Sequence, residues 1–262
     1  MPSTLERILA ATRDSLPPLH ARRRAIEAAA GAAPAPAPFL SHWDHARVGL
    51  IAEVKRRSPS QGTISAGLDP AAHAAAYAKA GASAISVLTD GPFFGGSIDD
   101  LVAVHRQVDV PLLRKDFIID EVQIAEARAA GASAVLLIVR ALVPARLHDL
   151  AGVAREFGLE VLVEVHDERE LEIALASGAM IIGVNSRNLD TFEIDLDSAW
   201  GLIENIPADH LAVAESGIET VDDVVGASAA GADLVLIGTA LSSSSDPGAL
   251  ATVCAGVLRN PR

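Results

Sequence analysis

The chain has 262 residues, half of them hydrophobic but only 3% aromatic, so its core must be built from Ala, Val, Leu and Ile. It carries 21 basic against 34 acidic side chains, and a formal charge of −13 argues against nucleic acid or a membrane surface as partner. A single cysteine, Cys254, excludes an internal disulfide and a thiolate metal cluster, which fits a reducing cytoplasm.

The opening stretch, MPSTLERILAATRD, places charges where a secretory leader needs an apolar core, so a cytoplasmic protein is expected. Helices are predicted over residues 4–15 and about 19–30, followed by an extended Pro/Ala connector over 31–39. Residues 1–46 are expected to form an N-terminal helical extension capping one domain that spans 1–262. Composition does not decide between a passive cap and a lid over substrate. The triplet Arg22-Arg23-Arg24 reads as a solvated helix face. The pair His42 and His45 lacks a third ligand nearby and reads as surface or packing, so no metal site is expected.

A first strand is predicted over residues 48–55, and from there one phrase recurs. Ala80-Gly81-Ala82 precedes SAISVL, Ala130-Gly131-Ala132 precedes SAVLLIV, Ser177-Gly178-Ala179 precedes MIIGVN, and Ala230-Gly231-Ala232 precedes DLVLIG. Each marks a helix closed by a left-handed glycine and followed by a buried strand. The glycines are 50, 47 and 53 residues apart, too far for one β-α unit and right for two. Intermediate strands are predicted in the gaps, at 110–115, 160–165 and 211–215. About eight β-α units in roughly 200 residues imply an α/β protein with a closed (β/α)8 TIM barrel. An open doubly wound sheet would call for a G-x-G-x-x-G turn after the first strand, and none is present.

Barrel enzymes place their chemistry at the C-terminal ends of the strands. The first strand ends with Glu53 and Lys55 on one face, since residues two apart point the same way. Later strands end in Arg114-Lys115-Asp116, Glu164-Val165-His166, Asn185-Ser186-Arg187, Glu215-Ser216-Gly217 and Gly238-Thr239. Charges are costly inside a barrel, so their convergence on one mouth points to a site rather than to stability. His166 is expected to point away from it. The small residues Ser216, Gly217, Gly238 and Thr239 suit a phosphate held by backbone N–H groups after the last two strands. Lys55 and Ser58 add a cation and a hydroxyl at the same rim.

Seven strings add up to a family resemblance: LIAEVKRRSPS, SVLTD, FFGGS, PLLRKDFIID, VEVH, GVNSRNLDTF and AESGI. In this order they resemble the indole-3-glycerol phosphate synthases across nearly the whole barrel, less so in the N-terminal segment. The resemblance implies a carboxy-lyase of tryptophan biosynthesis. Its substrate is 1-(2-carboxyphenylamino)-1-deoxyribulose 5-phosphate, and its products are indole-3-glycerol phosphate, CO2 and water.

It also implies roles. Lys115 matches the general acid toward the substrate ketone, and Glu164 the general base of the dehydration. Lys55, Glu53, Asn185, Glu215 and Ser216 complete the polar set. Lys55, Ser58, Gly217, Gly238 and Thr239 hold the phosphate, and Phe93, Phe117, Leu136 and Arg187 hold the anthranilate ring and its carboxylate. Two lysines and one or two carboxylates suffice for the chemistry, so no metal or redox cofactor is expected. A cationic neighbour, Arg114, suggests a lowered Lys115 pKa. The sequence departs from the family pattern at Gln61, Val122 and Thr239, and in a tail that lacks the usual methionine.

Two rival readings are weaker. Phosphoribosylanthranilate isomerase chemistry needs a Cys/Asp pair, and Cys254 lies in the last predicted helix. A non-catalytic sugar-phosphate binder would have lost the charged residues retained here. The expected partner is a small sugar phosphate, with a monomer or weak homo-oligomer as the assembly.

Overall fold

Eight short parallel strands close into a barrel in the computed structural model, which describes residues 2–65 and 67–262. They are β1 (Gly49–Val54), β2 (Ala84–Leu88), β3 (Leu112–Lys115), β4 (Ala134–Ile138), β5 (Glu160–Val165), β6 (Ile181–Asn185), β7 (Leu211–Glu215) and β8 (Leu234–Ile237). Closure comes from β1 pairing on both sides, with Gly49 opposite Leu234 of β8 and Ile51 opposite Ala84 of β2. Two helices, α1 (Thr4–Ala21) and α2 (Arg23–Ala32), precede the barrel. The barrel helices are α3 (Pro70–Lys79), α4 (Ile98–Gln107), α5 (Glu121–Ala129), α6 (Pro144–Glu156), α7 (Glu168–Ala176), α8 (Leu196–Glu204), α9 (Val221–Ala229), α10 (Thr239–Ser243) and α11 (Pro247–Ala255). The (β/α)8 expectation is met, and the four repeat glycines, Gly81, Gly131, Gly178 and Gly231, all have φ between 78° and 94°, as left-handed helix ends require.

Strand alternation sorts the apolar residues into two cores. Leu50, Ala52 and Val54 of β1, Ile85 and Val87 of β2, and Leu112 of β3 face outward and pack under the helices. Ile51, Ala84, Leu113, Leu136, Leu162, Val213 and Leu236 face inward and plug the barrel. One step further along the same inward faces stand Glu53, Lys115, Glu164 and Glu215. The apolar plug thus forms a floor from which the charged groups rise.

The first helix runs further than the sequence suggests. It continues through Pro17 and Pro18 to Ala21, although these prolines cannot donate to the carbonyls of Arg13 and Asp14. All four residues are exposed, so water can satisfy those carbonyls, while Leu16 and Leu19 pack on Ile26 and Val122. The extension touches both ends of the barrel. Leu5, Ile8 and Leu9 of α1 join the inward cluster beside Phe117, and Phe39, fully buried, joins the same cluster from the connector.

At the foot of the barrel, buried Asp233 accepts from Arg259 at 2.8 Å, from Arg262 at 2.9 Å and from the backbone N–H of Ala212 at 2.8 Å. This ties the C-terminal tail to β7 and β8. Asp233→Ala leaves two guanidinium groups without their anion, and is expected to lower the unfolding free energy by about 3 kcal/mol, read from the denaturant midpoint at unchanged m. Activity per folded molecule should not change, because the residue lies at the end opposite the charged groups.

Candidate active site

The inward charges meet at the mouth in one cavity that is open at the top. Lys115 Nζ sits 2.7 Å from Glu215 Oε2 and 3.4 Å from Glu164 Oε2. Lys55 Nζ lies 2.9 Å from Glu53 Oε1. Each of the three glutamates is 2% exposed, so these are buried ion pairs whose geometry is fixed by the strands beneath them. Among the described residues, Glu53 Oε2 and Glu215 Oε1 have no hydrogen-bond partner, which leaves two buried acceptors at the site.

Burial lowers the proton affinity of the Lys115 ammonium, but Glu215, Glu164 and Glu53 outweigh it and hold its pKa above the usual lysine value. The expectation of a lowered pKa is therefore corrected. Arg114 has the opposite strand parity and points outward, where it binds Asp116 at 3.0 Å and Glu126 at 3.0 Å between β3 and α5. Its charge is spent there, and Lys115 answers to carboxylates instead.

The two carboxylates beside Lys115 are driven apart. Glu164 is pushed up by burial, yet Lys115, His166 and Asn185 bring it below the ordinary carboxylate value. Glu215 is pushed up to about 7 by burial, partly offset by Lys115, with Glu164 and Glu53 adding repulsion. A lysine held protonated, one carboxylate held ionised and a second that can carry a proton near neutrality form a set suited to proton transfer in both directions.

The structure brings most of the expected site residues to this cavity. Glu53, Lys55, Ser58, Lys115, Phe117, Leu136, Glu164, Asn185, Arg187, Glu215, Ser216, Gly217, Gly238 and Thr239 all line it. Phe93 does not; its neighbour Phe94 does, with its ring centroid 6.1 Å from that of Phe117. Asp90 Oδ1 accepts both backbone N–H groups of the FF pair, and both rings pack against the inward cluster, with Phe94 the one that reaches the cavity wall. Leu189 and Phe192, from the string GVNSRNLDTF, also line the cavity without having been singled out, as do Thr4 and Ile8 of α1, which carried no signal in the sequence.

His166 departs from expectation only in part: it stays outside the cavity lining, with Nδ1 turned to Glu170 of α7, but its Nε2 lies 3.5 Å from Glu164 Oε1. The bland reading of the other histidines fits the structure: the ring of His45 stacks on Trp43 at 4.1 Å, and His42 contacts Ser41.

The rim after β7 and β8 is built for close approach. Ser216 and Gly217 have φ of 64° and 70°, a left-handed pair that turns the chain sharply at the strand end. A Cβ on Gly217 would meet Ile194 at 2.7 Å and Leu196 at 2.9 Å. Gly183 in β6 is required for a different reason, since a Cβ there would collide with Glu215 Oε1 and press on Leu162 at 3.2 Å. Gly183→Ala is therefore expected to swing Glu215 away from Lys115 and lower kcat about tenfold, with a smaller change in KM and a folded barrel by circular dichroism.

Comparison with known proteins turns this geometry into an identity. The family model described as indole-3-glycerol phosphate synthase matches residues 5–252. The chain belongs to the indole-3-glycerol phosphate synthase family. Among relatives of that name, the protein of Laribacter hongkongensis (strain HLHK9) is 50% identical over 204 residues, covering 78% of each chain. That of Arthrobacter sp. (strain FB24) is 48% identical over 239 residues, covering 87% of this chain and 88% of its own. Solved structures share the barrel at low identity. A 3-hexulose-6-phosphate synthase superposes with a TM-score of 0.63 at 18% identity, over 80% of this chain and 100% of its own. Thiamine phosphate pyrophosphorylase from Pyrococcus furiosus gives 0.61 at 16%, over 80% and 95%. Among the described residues, no helix of this synthase-family chain is long and apolar enough to cross a membrane.

Proposed function

We propose that this chain closes the indole ring of 1-(2-carboxyphenylamino)-1-deoxyribulose 5-phosphate, with Lys115 as general acid and Glu164 as general base. Family membership supplies the reaction, and one observation carries the assignment: Lys115 Nζ stands between Glu164 and Glu215 at the mouth. The ring carbon that bears the carboxylate attacks the ketone, and the developing alkoxide takes a proton from Lys115. An alkoxide is far more basic than an amine, so the transfer is downhill even from a lysine with raised pKa. Loss of CO2 returns the bonding pair to the ring and neutralises the nitrogen. The hydroxyl then leaves as water after taking a proton from the second lysine, Lys55, and Glu164 removes the ring C–H proton that completes the indole. These steps ask for acids and a base alone, so we assign no cofactor.

The remaining assignments follow the cavity. Ser58, Lys55, Gly217, Gly238 and Thr239 hold the phosphate; Phe117, Leu136 and Arg187 hold the anthranilate, with Phe94 in the place expected of Phe93. Glu53, Asn185 and Ser216 orient the sugar hydroxyls. Residues 1–46 act as a cap on a one-domain chain and contribute Thr4 and Ile8 to the substrate cavity. The protein acts as a cytoplasmic monomer or weak homo-oligomer on a small sugar phosphate, without nucleic acid. Mixing the purified protein with the substrate should produce indole fluorescence. Substrate that binds without a fluorescence rise would instead mark a sugar-phosphate-binding protein.

A further inference from the structure

His166 follows directly on β5, and the ring closure proposed above makes no use of it. Its side chain is 5% exposed. Nδ1 lies 3.0 Å from Glu170 Oε2 in the first turn of α7, and the same oxygen accepts the backbone N–H of His166 at 2.9 Å. Arg140, in the turn after β4, donates to the other oxygen of Glu170 at 2.7 Å and reaches Asp167 at 3.5 Å. Against the upward push of burial, His166 and Arg140 hold the Glu170 carboxyl below its ordinary range, so it is an anion. Nδ1 must then carry a hydrogen toward it.

That fixes what Nε2 has to do. It is buried, has no hydrogen-bond partner among the described residues, and faces Glu164 Oε1 at 3.5 Å. A bare nitrogen lone pair set against a carboxylate oxygen in a dry site is repulsive, so a proton belongs between them. The separation is longer than an ordinary hydrogen bond, as unliganded catalytic contacts often are. The other oxygen of Glu164 is already directed at Lys115.

We infer that His166 and Glu164 form an imidazole–carboxylate pair bridged by one proton, in which His166 is a positioning residue that orients the base and keeps it ionised. The charged groups around the ring are Glu164 on its own segment, Lys115 across the mouth, Glu170 and Asp167 at the start of α7, and Arg140 from the neighbouring turn. His166 lies outside the cavity lining, so it acts through Glu164 and not on substrate. The inference rests on Glu164 being the base.

His166→Asn keeps an amide near the Nδ1 position for Glu170 and removes the group facing Glu164. It is expected to lower kcat about tenfold with KM within about twofold, the scale of a weakened general base. Losing the cation raises the proton affinity of Glu164, so the acidic limb of the kcat profile should move up by about one pH unit. His166→Gln, whose longer amide can donate to Oε1, should recover plateau kcat to within about threefold of the parent. A fall in kcat, KM and melting temperature together, with the limb in place, would mark a packing role and overturn the inference. A second readout does not depend on turnover. In 15N-histidine spectra at one pH, the His166 Nε2 resonance should move between the parent and Glu164→Gln, because the bridging proton loses its carboxylate. An unmoved resonance would also overturn it. Parental kcat in Glu164→Gln would instead remove the base assignment, while the moved resonance would show the pairing intact.

Discussion

Lys115→Met is expected to lower kcat/KM by about 10³ while the barrel stays folded. The substitution keeps the length and apolar stem of the side chain and deletes only the ammonium. Two losses combine. The alkoxide formed on ring closure has no donor, and Glu164 and Glu215 lose the cation that sits between them. Buried carboxylates without that cation take up protons, which a higher pH reverses, but no pH restores the deleted acid, so the loss should persist across the range. Lys55 is held 2.9 Å from Glu53 on β1 and does not occupy the vacated position. Lys115→Arg restores the charge but not a group that gives up its proton, so it should recover folding stability more than rate. Near-parental product fluorescence from Lys115→Met would show that the acid lies elsewhere.

Glu164→Gln is expected to lower kcat by about 10² to 10³ with KM changed far less. The amide keeps the shape and can still accept from Lys115, so binding is largely preserved. The C–H proton at the last step no longer has a base. Because burial is outweighed by Lys115, His166 and Asn185, Glu164 is ionised well below neutrality in the parent. The parental rate should thus be flat from neutral pH down toward the ordinary carboxylate range and fall only below it. A rate in the variant equal to that of the parent would assign the base to another group; Glu215, pushed up to about 7, would then be examined by the same substitution.

Much of this arrangement is legible in the chain because period-two alternation fixes which residues share a face. The recurring Gly-Ala phrase marks the strands, and Leu113–Lys115, Leu162–Glu164 and Val213–Glu215 each place a charge one step above the plug. Where a tertiary contact chooses among local options, the string falls short. Arg114 and Lys115 are neighbours in sequence, yet opposite parity sends one under α5 and the other into the mouth, which reverses the expected pKa shift. His166 does stand outside the cavity, but Glu170 across the turn holds it where its Nε2 faces Glu164, a contact the string does not show. Continuing α1 through Pro17 and Pro18 depends on packing against α2 and α5.

The most direct test of the acid and base assignment is a rapid-quench single turnover of Glu164→Gln, with the reaction mixture read by mass. The account predicts accumulation of a species that has lost CO2 but kept its hydroxyl, because ring closure by Lys115 proceeds and dehydration stalls. Accumulation of intact substrate instead would contradict it, showing that Glu164 is needed before the ring closes.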